Sequence, residues 1–236
     1  MPDKKLTLIQ HLEELRSRII KSIIFITAAF FIAYGYVDKL LPVLIKPIGK
    51  LVFTSPSEAF VANIKIAFWL GLFLSSPFLL YQIWQFISGG LKDNEKKYAL
   101  ILGFFSFVLF VTGCAFGYLI IIPIGMKFLL GFATDLVTPM ITISNYISFL
   151  GVITFIFGLV FQLPLVVIFL VKLGIVKPKL LSRKRREVIV IIFIVAAVLT
   201  PPDVITQLLM AIPLVVLYEL SILLSRIFLP RREIKG

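Results

Sequence analysis

Three long stretches of the chain carry no charge: Ile66 to Leu91 (26 residues), Ala99 to Met126 (28) and Leu136 to Val171 (36). About 20 apolar residues cross a bilayer as a helix, so each stretch predicts at least one membrane span. The longest exceeds what one helix needs at about 1.5 Å per residue, and Pro139, Thr142, Ser144 and Asn145 divide it. Spans are therefore expected over Ile66 to about Phe86, Ala99 to about Ile122 and about Tyr146 to Val171, preceded by one from about Lys21 to Val37. Two shorter apolar runs follow, Val188 to Thr200 (13 residues) and Val204 to Tyr218 (15), joined by the turn Pro201-Pro202-Asp203. They read as two short spans, with Asp203 suited to cap the second; runs of this length also fit a re-entrant segment, an alternative the pattern leaves open. The expected fold is an all-α integral membrane protein of six transmembrane helices, the last two short. At about 20 Å, the 13-residue run implies a thinned bilayer and a concave bundle with the short pair as its shallow wall.

Charge adds orientation. With six spans both termini share a side, and that side holds nineteen of the 24 basic residues, leaving Lys39, Lys46, Lys50, Lys65 and Lys127 opposite. The positive-inside rule then places both termini in the cytoplasm. The formal net charge of +12 is explained by this asymmetry rather than by a phosphate-binding face, so nucleic acid is not an expected partner. A composition 60% hydrophobic and 15% charged excludes disorder and an ordinary cytosolic enzyme.

The first apolar stretch lacks a small-residue cleavage site and continues through Tyr34, Tyr36 and Asp38, so it is expected to stay as a span. No internal repeat or second water-soluble domain is visible, and residues 1–236 read as one membrane domain. Between Asp38 and Lys65, Pro42, Pro47 and Pro56 lie among apolar residues, which predicts a cap over the outer ends of the spans.

Candidate chemistry is sparse. There is no Walker A, HExxH or Gly-x-Ser-x-Gly pattern, and one histidine, His11, and one cysteine, Cys114, build neither a metal cluster nor a disulfide. Neither cofactor, metal nor catalysis is expected; His11 reads as an interfacial side chain and Cys114 as packing. Thr7 to Ile19 reads as an amphipathic helix with Thr7 and Gln10 as a capping box, Leu8, Leu12, Leu15 and Ile19 on one stripe, and the pairs Glu14/Arg18 and Glu13/Arg16. That is either a salt-bridged interfacial helix of no special function or part of a binding site. Glu95 lies in the loop Gly89 to Lys97. Two carboxylates at one membrane surface, Glu14 and Glu95, could grip a cationic peptide, because carboxylates match guanidinium donors bidentately. Gln162 sits deep in the fourth span, where its amide must find a partner on another helix or another membrane protein.

These residues also carry a resemblance. The string His11-Leu12-Glu13-Glu14-Leu15-Arg16, the run Pro77 to Phe86 with Glu95 beyond it, and Leu199-Thr200-Pro201-Pro202-Asp203-Val204 with Gln207 and Pro213 resemble the TatC family of twin-arginine translocation proteins over nearly the whole chain. The resemblance implies a six-span receptor in the inner membrane for paired-arginine signal peptides of folded proteins. It would assemble, as an oligomer, with single-span TatA/TatB-type partners and work on the proton-motive force. It implies that Glu14 and Glu95 bind the arginine region, with Arg16 and Phe86 shaping that site. Pro47 would belong to the outer cap and Asp203 to the turn, while Thr200 and Gln207 resemble residues contacting partner helices. Gln162 stands where many members have a glutamate. The competing class is a secondary transporter of a small solute, which six spans would also suit, although neither a repeat nor a buried ion pair is visible.

Overall fold

The computed structural model describes residues 8–46, 51–89, 93–131, 140–199 and 203–228, with the backbone alone for Leu8, 93–100 and Phe228. Among them the chain is helical almost throughout. The helices are α1 (Leu8–Tyr34), α2 (Val37–Ile45), α3 (Pro56–Gly89), α4 (Asp93–Phe116), α5 (Ile122–Leu130), α6 (Ile143–Val160), α7 (Leu163–Lys172), α8 (Pro178–Arg183), α9 (Arg185–Leu199) and α10 (Val204–Phe228). A π-helical segment, Gly117–Ile121, joins α4 to α5. Among the described residues, five stretches are long and apolar enough to cross a membrane: Ile9–Tyr34, Pro56–Gly89, Ile101–Leu130, Ile143–Lys172 and Val204–Ile227. Large apolar side chains such as Phe31 (68% exposed), Phe104 (67%) and Val198 (79%) point outward, a surface that only lipid satisfies. The fifth predicted span falls on α9, which is not among these five and whose 15 residues reach about 22 Å.

Several boundaries differ from the expected ones. Helix α3 starts ten residues before Ile66, because Pro56 is ready-made for a first helical position and Glu58 N–H bonds Ser55 O at 3.0 Å. Helix α4 starts at Asp93, so the backbone of Glu95 lies in its first turn and not in a loop. The third span runs through Pro123 to Leu130, the π segment absorbing the register where a proline ring displaces an intrahelical bond. Helix α10 extends past the apolar run to Phe228, with Ser221 and Ser225 buried and bonded to Leu217 O and Ile222 O. Within α3, Pro77 leaves Phe73 O without its usual donor, and Ser76 Oγ donates to it at 2.7 Å.

Contacts group the chain into two compact units, Met1–Val108 with Thr138–Gly151, and Leu109–Val137 with Val152–Gly236. The first is organised by α1 against α3, where buried Ala29, Ala33, Ala62 and Ala67 allow close approach. Gly71 touches the α1 backbone: a Cβ there would lie 2.8 Å from Phe30 Cα. In this unit Val52 pairs with Thr142 as a single parallel bridge, and Tyr146 Oη donates to Leu44 O at 2.8 Å. In the second unit Gly113 meets Phe157 O, and α10 packs on α7 and α9 around Met210, Ala211 and Leu214.

Candidate functional site

Spacings of three and four put His11, Glu14 and Arg18 on one face of α1, and that face turns toward the C-terminal end of α3. Of the predicted apolar stripe, Leu12 and Ile19 turn outward and are exposed, while Leu15 is half-buried beside Glu14. In a bilayer this is the favoured polarity, polar side chains inward and apolar ones to lipid. The predicted Glu14/Arg18 pair forms: Arg18 Nε donates to Glu14 Oε1 at 3.0 Å, and Arg18 Nη2 bonds the same oxygen. Arg18 Nη1 donates to Oε1 of Gln82, a buried residue of α3, at 2.8 Å. His11 stacks on Phe86, ring centroids 4.2 Å apart and planes 13° from parallel, with Nδ1 3.6 Å from Glu14 Oε2. A Cβ at Gly89, the last residue of α3, would lie 3.0 Å from Oε2.

Of the residues read as a signal site, Glu14 and Phe86 therefore share one cluster, joined through His11. Arg16 is exposed and outside it. The side chain of Glu95 and the capping residue Thr7 lie outside the described residues, so the juxtaposition of Glu14 with Glu95 is not described. Gln82 was missed because its contact to Arg18 spans 64 positions. The spacing of His11, Glu14 and Arg18 was the available signal for the rest.

The other candidates fall elsewhere. Gln162 caps α7 at a break between α6 and α7: its N–H bonds Leu159 O, and its side-chain Nε2 donates to Gly158 O at 3.4 Å, standing in for the turned backbone donor. Gln207 Nε2 donates to Phe193 O at 3.0 Å, tying α10 to α9. Asp203 caps α10 as expected, Oδ1 accepting Thr206 N–H at 2.7 Å and Oδ2 its hydroxyl. Pro47, Thr200 and the two prolines of the turn lie outside the described residues. Among the described residues no group of three or more His, Cys, Asp or Glu is placed to hold a metal ion.

Membrane-crossing helices with a carboxylate and guanidinium cluster at the end of α1 and α3 define a multi-pass membrane protein. The family model "Sec-independent protein translocase protein (TatC)" matches residues 10–213. A Sec-independent protein translocase protein TatC of Carboxydothermus hydrogenoformans is 46% identical, covering 100% of this chain and 99% of its own. That of Aquifex aeolicus is 40% identical over 93% and 95%. A crystal structure of the twin-arginine translocase receptor TatC superposes with a TM-score of 0.84 at 40% identity, covering 92% of this chain and 98% of that one. The chain belongs to the TatC family, which sets aside the small-solute transporter.

Proposed function

We propose that this protein is the receptor and core subunit of a twin-arginine translocase, and that residues 1–236 act as one six-span domain of the inner membrane with both termini cytoplasmic. It binds paired-arginine signal peptides of folded cargo at the end of α1 and α3, and recruits single-span TatA/TatB-type proteins for export driven by the proton-motive force. Glu14 and Glu95 bind the arginine region, Arg16 and Phe86 shape the surface, and Gln162, Thr200 and Gln207 meet partner helices. Pro47 and Asp203 hold the outer cap and the turn.

The observation that carries this reading is the Glu14 carboxylate, which already receives a guanidinium at the end of the α1 and α3 pair. Such a group recognises arginine through charge-assisted bonds that lysine or glutamine match less well. The test is binding of a synthetic paired-arginine signal peptide to the purified full-length protein. The Arg-Arg peptide should bind at least about tenfold tighter than its Gln-Gln counterpart, the scale of a lost charge-assisted hydrogen bond. Equal affinities would overturn the reading.

A further inference from the structure

The Glu14 cluster treats its two carboxylate oxygens unequally. Among the described residues, Oε1 takes both bonds from Arg18, while Oε2 faces Gly89 and His11 Nδ1, which at 3.6 Å is outside hydrogen-bond range. Arg18 is mostly buried, its side chain 15% exposed, and is held from behind by Gln82. An ionised carboxylate offers about four lone-pair positions, enough for two guanidinium groups. Resting on the receptor reading above, we infer that Arg18 and Gln82 are positioning residues that lock Oε1 of Glu14, and that Gly89 keeps the approach to Oε2 clear for an incoming guanidinium.

The alternative is that Arg18 is a competitor that the ligand's arginine must displace. Geometry favours the lock. Swinging Arg18 away would break its bonds to Glu14 and strand the carbonyl oxygen of Gln82, a buried acceptor whose partner would be gone. The approach over Gly89 also suits a cation, since the C-terminal end of a helix carries partial negative charge. The backbone of Gly89 is helical, so an alanine there meets no backbone strain, only the carboxylate: its Cβ would stand 3.0 Å from Oε2 and 3.4 Å from Oε1. His11 and Phe86 form the adjoining wall.

The experiment measures binding of Arg-Arg and Lys-Lys versions of one signal peptide to the full-length protein in lipid nanodiscs. It compares the parent with Glu14→Ala, Gln82→Met, Arg18→Lys, Gly89→Ala and the double variant Glu14→Ala/Gln82→Met. Gln82→Met and Gly89→Ala should each weaken Arg-Arg binding by about tenfold and shrink the Arg-Arg to Lys-Lys ratio, the scale of one charge-assisted bond. Arg18→Lys should do the same, because one ammonium cannot serve Glu14 and Gln82 in the same geometry. Gln82→Met should add nothing once Glu14 is alanine; a merely structural glutamine would still weaken binding there. Should Gln82→Met fail to fold, Gly89→Ala and Arg18→Lys decide. Tighter binding by Arg18→Lys or Gln82→Met would establish the competitor and overturn the lock, as would unchanged binding in both and in Gly89→Ala. If Glu14→Ala itself binds like the parent, it is the receptor reading that fails.

Discussion

Helix α3 carries a carboxylate-centred cluster at each of its two ends, about 36 Å apart along its axis if Glu58 and Gln82 mark them. At its start Glu58 is used up by the chain around it. Oε2 accepts both the N–H and the hydroxyl of Thr54 at 2.8 Å, and Oε1 accepts Ser144 N–H at 3.3 Å. Lys65 fastens the same segment, donating to Ser144 Oγ at 2.6 Å. At the other end Glu14 has one oxygen held by Arg18 and the other turned toward a glycine. A carboxylate whose oxygens all receive local donors is part of the scaffold; one with bonding capacity left over is equipped to recognise something else.

The largest expected effect separates the two ends directly. Glu14→Ala should cost about 1.5–3 kcal/mol of paired-arginine peptide binding, tenfold or more, together with the stability that Arg18 loses with its acceptor. Glu14→Gln should lose nearly as much, since the charge-assisted part of the bond disappears with the charge. Glu58→Ala should differ in the binding readout: a lower melting temperature, because Thr54 and Ser144 lose their acceptor, but peptide affinity within about twofold of the parent. If Glu58→Ala weakened binding as much as Glu14→Ala, the distinction between scaffold and recognition carboxylates would be lost.

A smaller effect is expected at Asp203, whose two oxygens both bond Thr206 and which therefore belongs with Glu58. Asp203→Ala removes a helix cap and should lower stability by about 1 kcal/mol while leaving peptide affinity unchanged. Asp203→Asn, which keeps a capping oxygen, should recover most of that loss in the same thermal measurement.

Charge-free runs made the spans legible, since the requirement of a bilayer is written in composition alone. Their ends were less so. Pro56 opening α3 and the π segment before Pro123 are local backbone outcomes that hydropathy does not register, and it does not register the start of α4 at Asp93 either. The pair Glu14/Arg18 was readable because it is an i, i+4 spacing, and Asp203 because a cap depends on its nearest neighbours. Gln82 looked like one more residue of an apolar run, and only the packing of α1 on α3 reveals it as the partner of Arg18. The direction of α1 was misleading for a related reason: an apolar stripe seeks the core in water but lipid in a membrane, so Leu12 faces out and Glu14 in.

Gln162 lies between the two kinds of group and carries the smallest effect. Its amide donates to Gly158 O, but at 3.4 Å, a long bond made because the backbone N–H of the same residue has turned to Leu159 O at the helix break. Hydrogen bonds between helices in membranes average about 0.6 kcal/mol, so an additional contact from this half-buried amide to a partner's single span would tune specificity rather than hold the fold. Gln162→Leu should leave the melting temperature within error and reduce crosslinking to the partner helix by about threefold, the ratio that energy corresponds to. Gln162→Glu should retain the crosslink, because a protonated acid both donates and accepts. Undiminished crosslinking in Gln162→Leu would assign the amide to contacts within this chain, and would place Gln162 with Glu58 among the groups the fold consumes.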